Sequence, residues 1–339
     1  MKRLFVTGAA GFIGSNLVRH LLADDRDVSI TILDKLTYAG RRETMRDFLD
    51  DPRVRFVEGD ICDASLVEEL VQGADAIVNV AAESHVDRSI LGPAAFVQTN
   101  IVGTFVLLEA ARKAGVGRFL QVSTDEVYGS IASGTTDESF PLDPRNPYAA
   151  TKAGAELLAR SYFTTYKLPV VITRGANNYG PFQFIEKAIP LFTTNAIDRQ
   201  PLPVYGDGRQ ERHWMHVLDH CAGIDLVLRE GIAGEIYNIG TDDHRPNMYV
   251  VEQILAALDR PRDLIRHVSD RPGHDIRYSL DSSKVRALGW EPTRSFESGL
   301  EATVRWYEEN EWWWRPIKSG EYARYYEQNY AWRATAGSR

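Results

Sequence analysis

Between Phe119 and Lys152 the chain reads Phe-Leu-Gln-Val-Ser-Thr-Asp-Glu-Val-Tyr, then a polar insert, then Asn-Pro-Tyr-Ala-Ala-Thr-Lys. A hydroxyl (Thr124), two adjacent carboxylates (Asp125, Glu126), a phenol (Tyr148) and an ammonium (Lys152) are thus candidates for one cleft. A phenol has a reference pKa near 10 and is a poor base at neutral pH, but a cation one helical turn away favours the phenolate. Tyr148 would then take a proton from a hydroxyl while hydride leaves the same carbon. Neighbouring carboxylates repel and can hold different protonation states, so Glu126 can serve as base and Asp125 as acid. Together the set can run a redox step and an elimination at one sugar ring.

These side chains need a frame. Arg118–Val122 predicts a buried strand ending in Ser123 and Thr124, and a helix is predicted from near Pro147, placing Tyr148 and Lys152 on one face. At the N-terminus, Leu4-Phe5-Val6 predicts a strand, followed by Gly8, Gly11 and Gly14 and an apolar helical pattern through Phe12, Ile13, Leu17, Val18, Leu21 and Leu22. Glycines at such a turn let the backbone approach a pyrophosphate, and the helix N-terminus supplies free amides and a positive dipole end. Asp34 closes the next strand, Val28–Leu33, about 20 residues after Gly14, where a carboxylate accepts hydrogen bonds from a ribose diol and repels a 2′-phosphate. That favours NAD over NADP.

Further strand signals at Val54–Asp60, Ala76–Ala82 and Leu168–Thr173 alternate with helical stretches. The fold class expected is α/β: a Rossmann-type, doubly wound parallel sheet with a smaller, mixed α/β C-terminal substrate lobe. Ligands then bind beyond the carboxyl ends of the strands, where Gly8–Gly14, Asp34, Asp60, Ala81–Ser84 and Ser123–Glu126 fall. After Asn177-Asn178 the alternation loosens and proline, glycine and polar turns cluster. The boundary expected is residues 1–176 for the cofactor and catalytic residues and 177–339 mainly for the sugar nucleotide, with the chain free to cross back.

Composition narrows the class. The chain has 339 residues, 44% hydrophobic and 25% charged, ordinary for a globular protein. A net charge of −8 argues against nucleic-acid binding, which needs a basic surface. The two cysteines, Cys62 and Cys221, make neither a disulfide framework nor a metal site, so no metal is expected. The first strand starts at once, and no apolar run is read as reaching the roughly 20 residues of a membrane span. A cytoplasmic protein without membrane contact is expected.

The three glycines, Asp34, Asp60-Ile61, the Ser-Thr strand end and the Tyr148/Lys152 pair resemble the extended short-chain dehydrogenase/reductase family. Thr124-Asp125-Glu126 with Ala81-Ala82-Glu83-Ser84-His85-Val86-Asp87 is similar, more narrowly, to its dTDP-glucose 4,6-dehydratases. The likeness continues in Asn177-Asn178-Tyr179-Gly180-Pro181, Glu186-Lys187, the segment 201–208 and Arg271-Pro272-Gly273-His274-Asp275. Arg212-His213-Trp214 and His216-Val217 depart from it, where relatives tend to read Arg-Asp-Trp and Tyr-Val, as does Gly175-Ala176, where cysteine or serine is usual.

The resemblance implies C4 oxidation, loss of water across C5 and C6, and reduction at C6, with NAD recycled. It implies cofactor contacts at Gly8, Gly11, Phe12, Ile13, Gly14, Asp34, Lys35, Leu36, Thr37, Asp60, Ile61, Val80, Ala81, Ala82, Ser84, Thr99, Tyr148, Lys152 and Asn178. Substrate contacts are implied at Ser84, His85, Thr124, Asn177, Lys187, Ala188, Pro203, Val204, Tyr205, Arg212, Asn247, Arg271, His274 and Asp275. Thr124 would bond the C4 oxygen, Lys187 and Arg212 would clamp a diphosphate, and Tyr205 would pack on the base. Two long helices, near Ala94–Ala114 and from Pro147, would pair with a second subunit as a four-helix bundle in a homodimer. The aromatic tail from Trp306 to Trp332 is expected to pack as a late helix on the small lobe. Sibling activities sharing the tyrosine and lysine, a nucleotide-sugar 4-epimerase or decarboxylase, need no Asp125-Glu126 pair. A silent NAD-sensing regulator is the alternative from another class.

Overall fold

The computed structural model describes residues 1–131, 133–269, 277–320, 322–324, 326 and 327. Strands run in chain order as β1 (Arg3–Thr7), β2 (Ser29–Asp34), β3 (Val54–Glu58), β4 (Ala76–Asn79), β5 (Arg118–Thr124), β6 (Val170–Gly175), β7 (Asn177–Tyr179), β8 (Leu202–Tyr205), β9 (Glu211–His216), β10 (Ile236–Ile239), β11 (His244–Pro246) and β12 (Ile265–Val268). Seven of them form one sheet in the order β10-β6-β5-β4-β1-β2-β3, with every ladder parallel. Order reverses between β1 and its neighbours β2 and β4, the place where an open parallel sheet leaves a ligand crevice.

Both faces of this sheet are covered, which is why its strands read as apolar runs rather than alternating ones. Leu4, Val6, Ile30, Ile32, Val78 and Leu120 pack toward the helices Phe12–Asp24 and Val217–Glu230. Phe5, Leu33, Ile77, Phe119, Val170 and Ile172 pack on the other side with residues of the helices Ala64–Leu70, Thr104–Ala114 and Pro147–Tyr166. A buried polar row ties the strands just short of their carboxyl ends. Thr7 Oγ1 donates to Asn79 Oδ1 at 2.7 Å, and Asn79 Nδ2 donates to Gln121 Oε1 at 2.9 Å. The row keeps three strand ends level, and the cleft opens above it.

β4 stops at Asn79 rather than running on to Ala82, because Val80–Ser84 leave the sheet to line that cleft. The chain crosses back after β9: the helix Val217–Glu230 lies on Phe12–Asp24, and β10 pairs with β6. The second core gathers the helices Ala188–Ile197, Asn247–Ala257, Phe296–Glu309 and Glu311–Lys318 around Tyr179, Leu202, Trp214 and Tyr307. With them go the mixed sheet β11-β9-β7 and the parallel pair β12-β8.

Two expectations change. The aromatic tail packs on the small lobe but also reaches the first: Trp313 Nε1 donates to Thr44 Oγ1 at 3.0 Å, and the two side chains are buried. Tyr325 and Trp332 lie outside the described residues. The helix Pro93–Ala114, 22 residues with a mean hydropathy of 1.4, is long and apolar enough by length and composition to cross a membrane. Half of that stretch is buried within the chain, the pattern of a core helix.

Candidate active site

The helix carrying Tyr148 and Lys152 begins at Pro147, whose fixed φ suits a first helical position. Asn146 caps it, Oδ1 accepting from Ala149 N at 2.9 Å. The other end of the Asn146 amide donates to Glu126 Oε2 at 3.3 Å, so one residue starts the tyrosine helix and holds the Glu126 carboxylate. Across the turn, Thr124 Oγ1 donates to Asp125 Oδ1 at 3.1 Å and accepts from Glu126 N at 3.3 Å. This folds Asp125–Tyr128 into a short 3-10 turn at the end of β5.

Burial sorts the carboxylates. Asp125 is 2% exposed, and desolvation, then the charge of Glu126, pushes its pKa up to about 7. The Thr124 hydrogen bond and the Arg212 charge oppose this without cancelling it. Oδ2 of Asp125 has no hydrogen-bond partner among the described residues, as befits an oxygen that carries a proton for donation. The protonated form of Asp125 is therefore favoured over that of an ordinary carboxyl, which suits an acid.

The expectation that Lys152 lowers the Tyr148 phenol is corrected. Burial, then the charge of Glu126, raises that phenol, with the Thr124 hydroxyl acting the other way. Lys152 is itself lowered to about 8 by burial, against the charge of Glu156, and its Nζ donates to Val122 O at 2.7 Å.

A cofactor cleft lies along the strand ends. Gly8 has φ +76°, and a Cβ there would stand 2.6 Å from the Ala81 backbone; one on Gly14 would stand 2.2 Å from Gly8 O. The helix Phe12–Asp24 is capped by Gly11, with no side-chain cap and no acidic residue in its first turn. Its amides and dipole are thus left for a pyrophosphate. Asp34 accepts from Ala10 N at 2.8 Å and Leu36 N at 2.9 Å, which fixes the glycine turn against the end of β2. These residues fit NAD.

Every residue expected to hold the cofactor lines this cleft except Leu36 and Asn178. Leu36 enters the left-handed region (φ 52°) so that its amide reaches Asp34, and its side chain turns onto the core. Asn178 lines a second, adjoining cavity instead, its Nδ2 bonded to Ala176 O. That second cavity is lined by His85, Glu126, Asn177, Lys187, Ala188, Pro203, Val204, Tyr205, Arg212 and Asn247. Ser84 faces the cofactor cleft only, and Thr124 lines neither cavity, lying between Asp125 and Tyr148. Arg271, His274 and Asp275 lie outside the described residues.

Several wall residues were missed. Glu83, Gln183, Phe184 and Glu186 line the cofactor cleft, and Asp87 the sugar cavity, where its Oδ2 accepts from the Tyr205 hydroxyl at 3.0 Å. Asn100 is buried in a π-helical turn, Val97–Gly103, and donates to Glu83 O (3.0 Å) and Thr151 Oγ1 (2.9 Å). It staples the β4 exit to the tyrosine helix. Its signal was within reach: a polar residue on the apolar face of a long helix needs a buried partner.

The departures from the family pattern have structural partners. His213 stands opposite His244 in the β9–β11 ladder, their Nε2 atoms hydrogen-bonded. His216 caps the helix Val217–Glu230 through Nδ1. Neither histidine displaces a catalytic group.

A family model described as GDP-mannose 4,6 dehydratase matches residues 5–303. A dTDP-glucose 4,6-dehydratase of Streptomyces niveus is 52% identical over 95% of this chain and 97% of its own. The low-salt glycan biosynthesis protein Agl12 of Haloferax volcanii is 57% identical over 90% of this chain and 98% of its own. Among solved structures, DesIV, a dTDP-glucose 4,6-dehydratase from Streptomyces venezuelae with NAD and TYD bound, superposes with a TM-score of 0.91 at 55% identity. It covers 93% of this chain and all of DesIV. With a glycine-cradled cofactor cleft, the adjacent Asp125 and Glu126, of which Glu126 lines the second cavity and Asp125 neither, and these relatives, the chain belongs to the dTDP-glucose 4,6-dehydratases of the extended short-chain dehydrogenase/reductase family.

Proposed function

We propose that this chain converts dTDP-glucose to dTDP-4-keto-6-deoxyglucose, a hydro-lyase reaction in deoxysugar synthesis. One observation carries the reading: Asp125, buried and raised to about 7, is next to Glu126, which faces the sugar cavity, and near enough to Tyr148, which faces the cofactor cleft, for their charges to interact. An epimerase working at C4 has no use for that acid.

When bound, NAD supplies the hydride acceptor for C4, the donor for C6, and a positive ring beside Tyr148. Tyr148 takes the proton of the C4 hydroxyl, and Thr124 orients that oxygen. The resulting ketone acidifies the C5 proton, which Glu126 removes while Asp125 protonates the departing C6 hydroxyl, releasing water. Glu126 then returns its proton to C5. Tyr148 ends one proton rich and Asp125 one proton poor, and the Thr124 hydroxyl between them offers the return path.

The remaining assignments belong to the same proposal. Residues 1–176 carry cofactor and chemistry, and 177–339 mainly the nucleotide, with Lys187 and Arg212 as diphosphate contacts and Tyr205 against the base. A homodimer is supported by the apolar face on the helices Pro93–Ala114 and Pro147–Tyr166, where Val97, Phe105 and Leu157 are about half exposed. A cytoplasmic site of action is consistent with two unpaired thiols, Cys62 and Cys221.

The test is incubation with dTDP-glucose, followed by mass and by the alkaline absorbance of a keto sugar. Loss of one water with a keto product is expected. An unchanged mass with a galactose configuration would replace this reading by the epimerase.

A further inference from the structure

The cofactor cleft has a roof, and the roof is fastened. Its floor is the first lobe, but Gln183, Phe184, Glu186 and Lys187 of the second half line its other side. Three chain segments far apart in sequence meet there: the loop after β2, the start of the helix Val86–Leu91, and the segment before Ala188.

The fastening is specific. The Glu186 side chain is 2% exposed, and a carboxylate so buried is costly without a cation. Arg88 supplies it, Nε to Oε2 at 2.8 Å across the two lobes. The same guanidinium lies 3.8 Å from the centre of the Tyr38 ring, and Tyr38 meets Phe184 edge-on at 5.5 Å. The next residue repeats the crossing, Lys187 Nζ donating to Ser84 O at 2.8 Å. Tyr38 is partly buried, and desolvation with the nearby Glu186 and Glu83 carboxylates holds its hydroxyl well above the ordinary phenol range. It therefore acts here as a neutral ring.

We propose that Arg88, Glu186 and Tyr38 form a cross-lobe latch that slows exchange of the cofactor. A dinucleotide along the cleft lies beneath 183–187 and leaves when that segment lifts off Arg88 and Tyr38. Glu186 and Lys187 also wall the second cavity, whereas Phe184 lines the cofactor cleft alone, and Arg88 and Tyr38 stand behind these residues and line neither cavity. The inference rests on NAD as the cofactor, but its test reads exchange, not turnover.

Holoenzyme is mixed with isotopically labelled NAD, passed through gel filtration at intervals, and its bound NAD weighed by mass spectrometry. Arg88→Met is expected to speed exchange at least about tenfold, because removing one partner of a buried charge pair acts on the off-rate. Tyr38→Leu speeds it by removing the stack, and Arg88→Lys recovers part of the slow exchange. With NAD saturating, kcat for the sugar stays near wild type in all three. Wild-type exchange rates in both Arg88→Met and Tyr38→Leu overturn the latch. So does parallel loss of cofactor, saturated turnover and melting temperature, which marks a merely structural role. A wild-type chain first stripped of bound nucleotide that then takes up no labelled NAD overturns the cofactor reading, and the latch with it.

Discussion

Asn146 hydrogen-bonds Glu126, Nδ2 to Oε2 at 3.3 Å, while its Oδ1 caps the helix that presents Tyr148 and Lys152. The proton acceptor for C5 and the helix bearing the C4 acid–base group are therefore set by one side chain. Asn146→Ala is expected to cost about 1 kcal/mol of stability, the usual worth of an N-cap. It should also lower kcat more than it raises KM, because Glu126 loses its orientation. Calorimetry and steady-state kinetics check the pair of effects. A stability loss with unchanged kcat would leave Asn146 a cap alone.

Glu126→Gln keeps the shape and removes the base. The expected result is loss of C5 deuterium uptake from heavy water and a fall in dehydration of about 10²–10⁴-fold, the usual range for a general base. NAD binding should persist, since Glu126 lines the sugar cavity and not the cofactor cleft. Continued C5 exchange in this variant would assign the base to another group.

Asp125 makes a prediction about stability with a definite sign. Its folded pKa of about 7 lies above the ordinary carboxylate value, so the folded state keeps a proton that the unfolded state has lost. The stabilisation is full below about pH 4 and declines as pH rises to about 7, by on the order of 3–4 kcal/mol in total. Asp125→Asn removes this term, so above pH 7 the variant should be more stable than wild type and slower in elimination. Denaturant melts at pH 5 and pH 8 measure the difference; a variant less stable at pH 8 would contradict the assigned burial cost. Wild-type dehydration should decline on the alkaline side of about pH 7 as Asp125 loses its proton.

Phe105 and Leu157, 47% and 54% exposed, stand on the two helices proposed to pair with a second copy. Phe105→Glu with Leu157→Glu places charge in that face. The expected outcome is a monomer by sedimentation where the parent is a dimer, with NAD still bound. A parent that sediments as a monomer would remove the bundle from the proposal.

The local signals in the sequence reach a long way here. Glycine spacing, Asp34 at a strand end, and Tyr148 one turn from Lys152 are short-range facts, set by turn geometry and helix pitch. Alternation of apolar strands with helical stretches, by a rule of chain handedness, places all strand ends on one edge. The glycine turn, Asp34 and the strand-end residues follow from these signals, whereas the fuller residue lists for the two cavities were implied by the family resemblance.

What only the tertiary structure decided depends on burial and on neighbours distant in sequence. Asp125 and Glu126 are adjacent and alike as letters; desolvation makes the first an acid while the second faces the sugar cavity. Lys152 was expected to lower Tyr148, yet within the chain the buried phenol is raised by desolvation and the Glu126 charge, and the lysine ammonium donates to Val122 O. Arg88 and Glu186 stand 98 positions apart and Trp313 and Thr44 stand 269 apart, and no periodicity connects them. Local chemistry is written in spacing, whereas charge state and the closure of one lobe on the other emerge only when the chain excludes water.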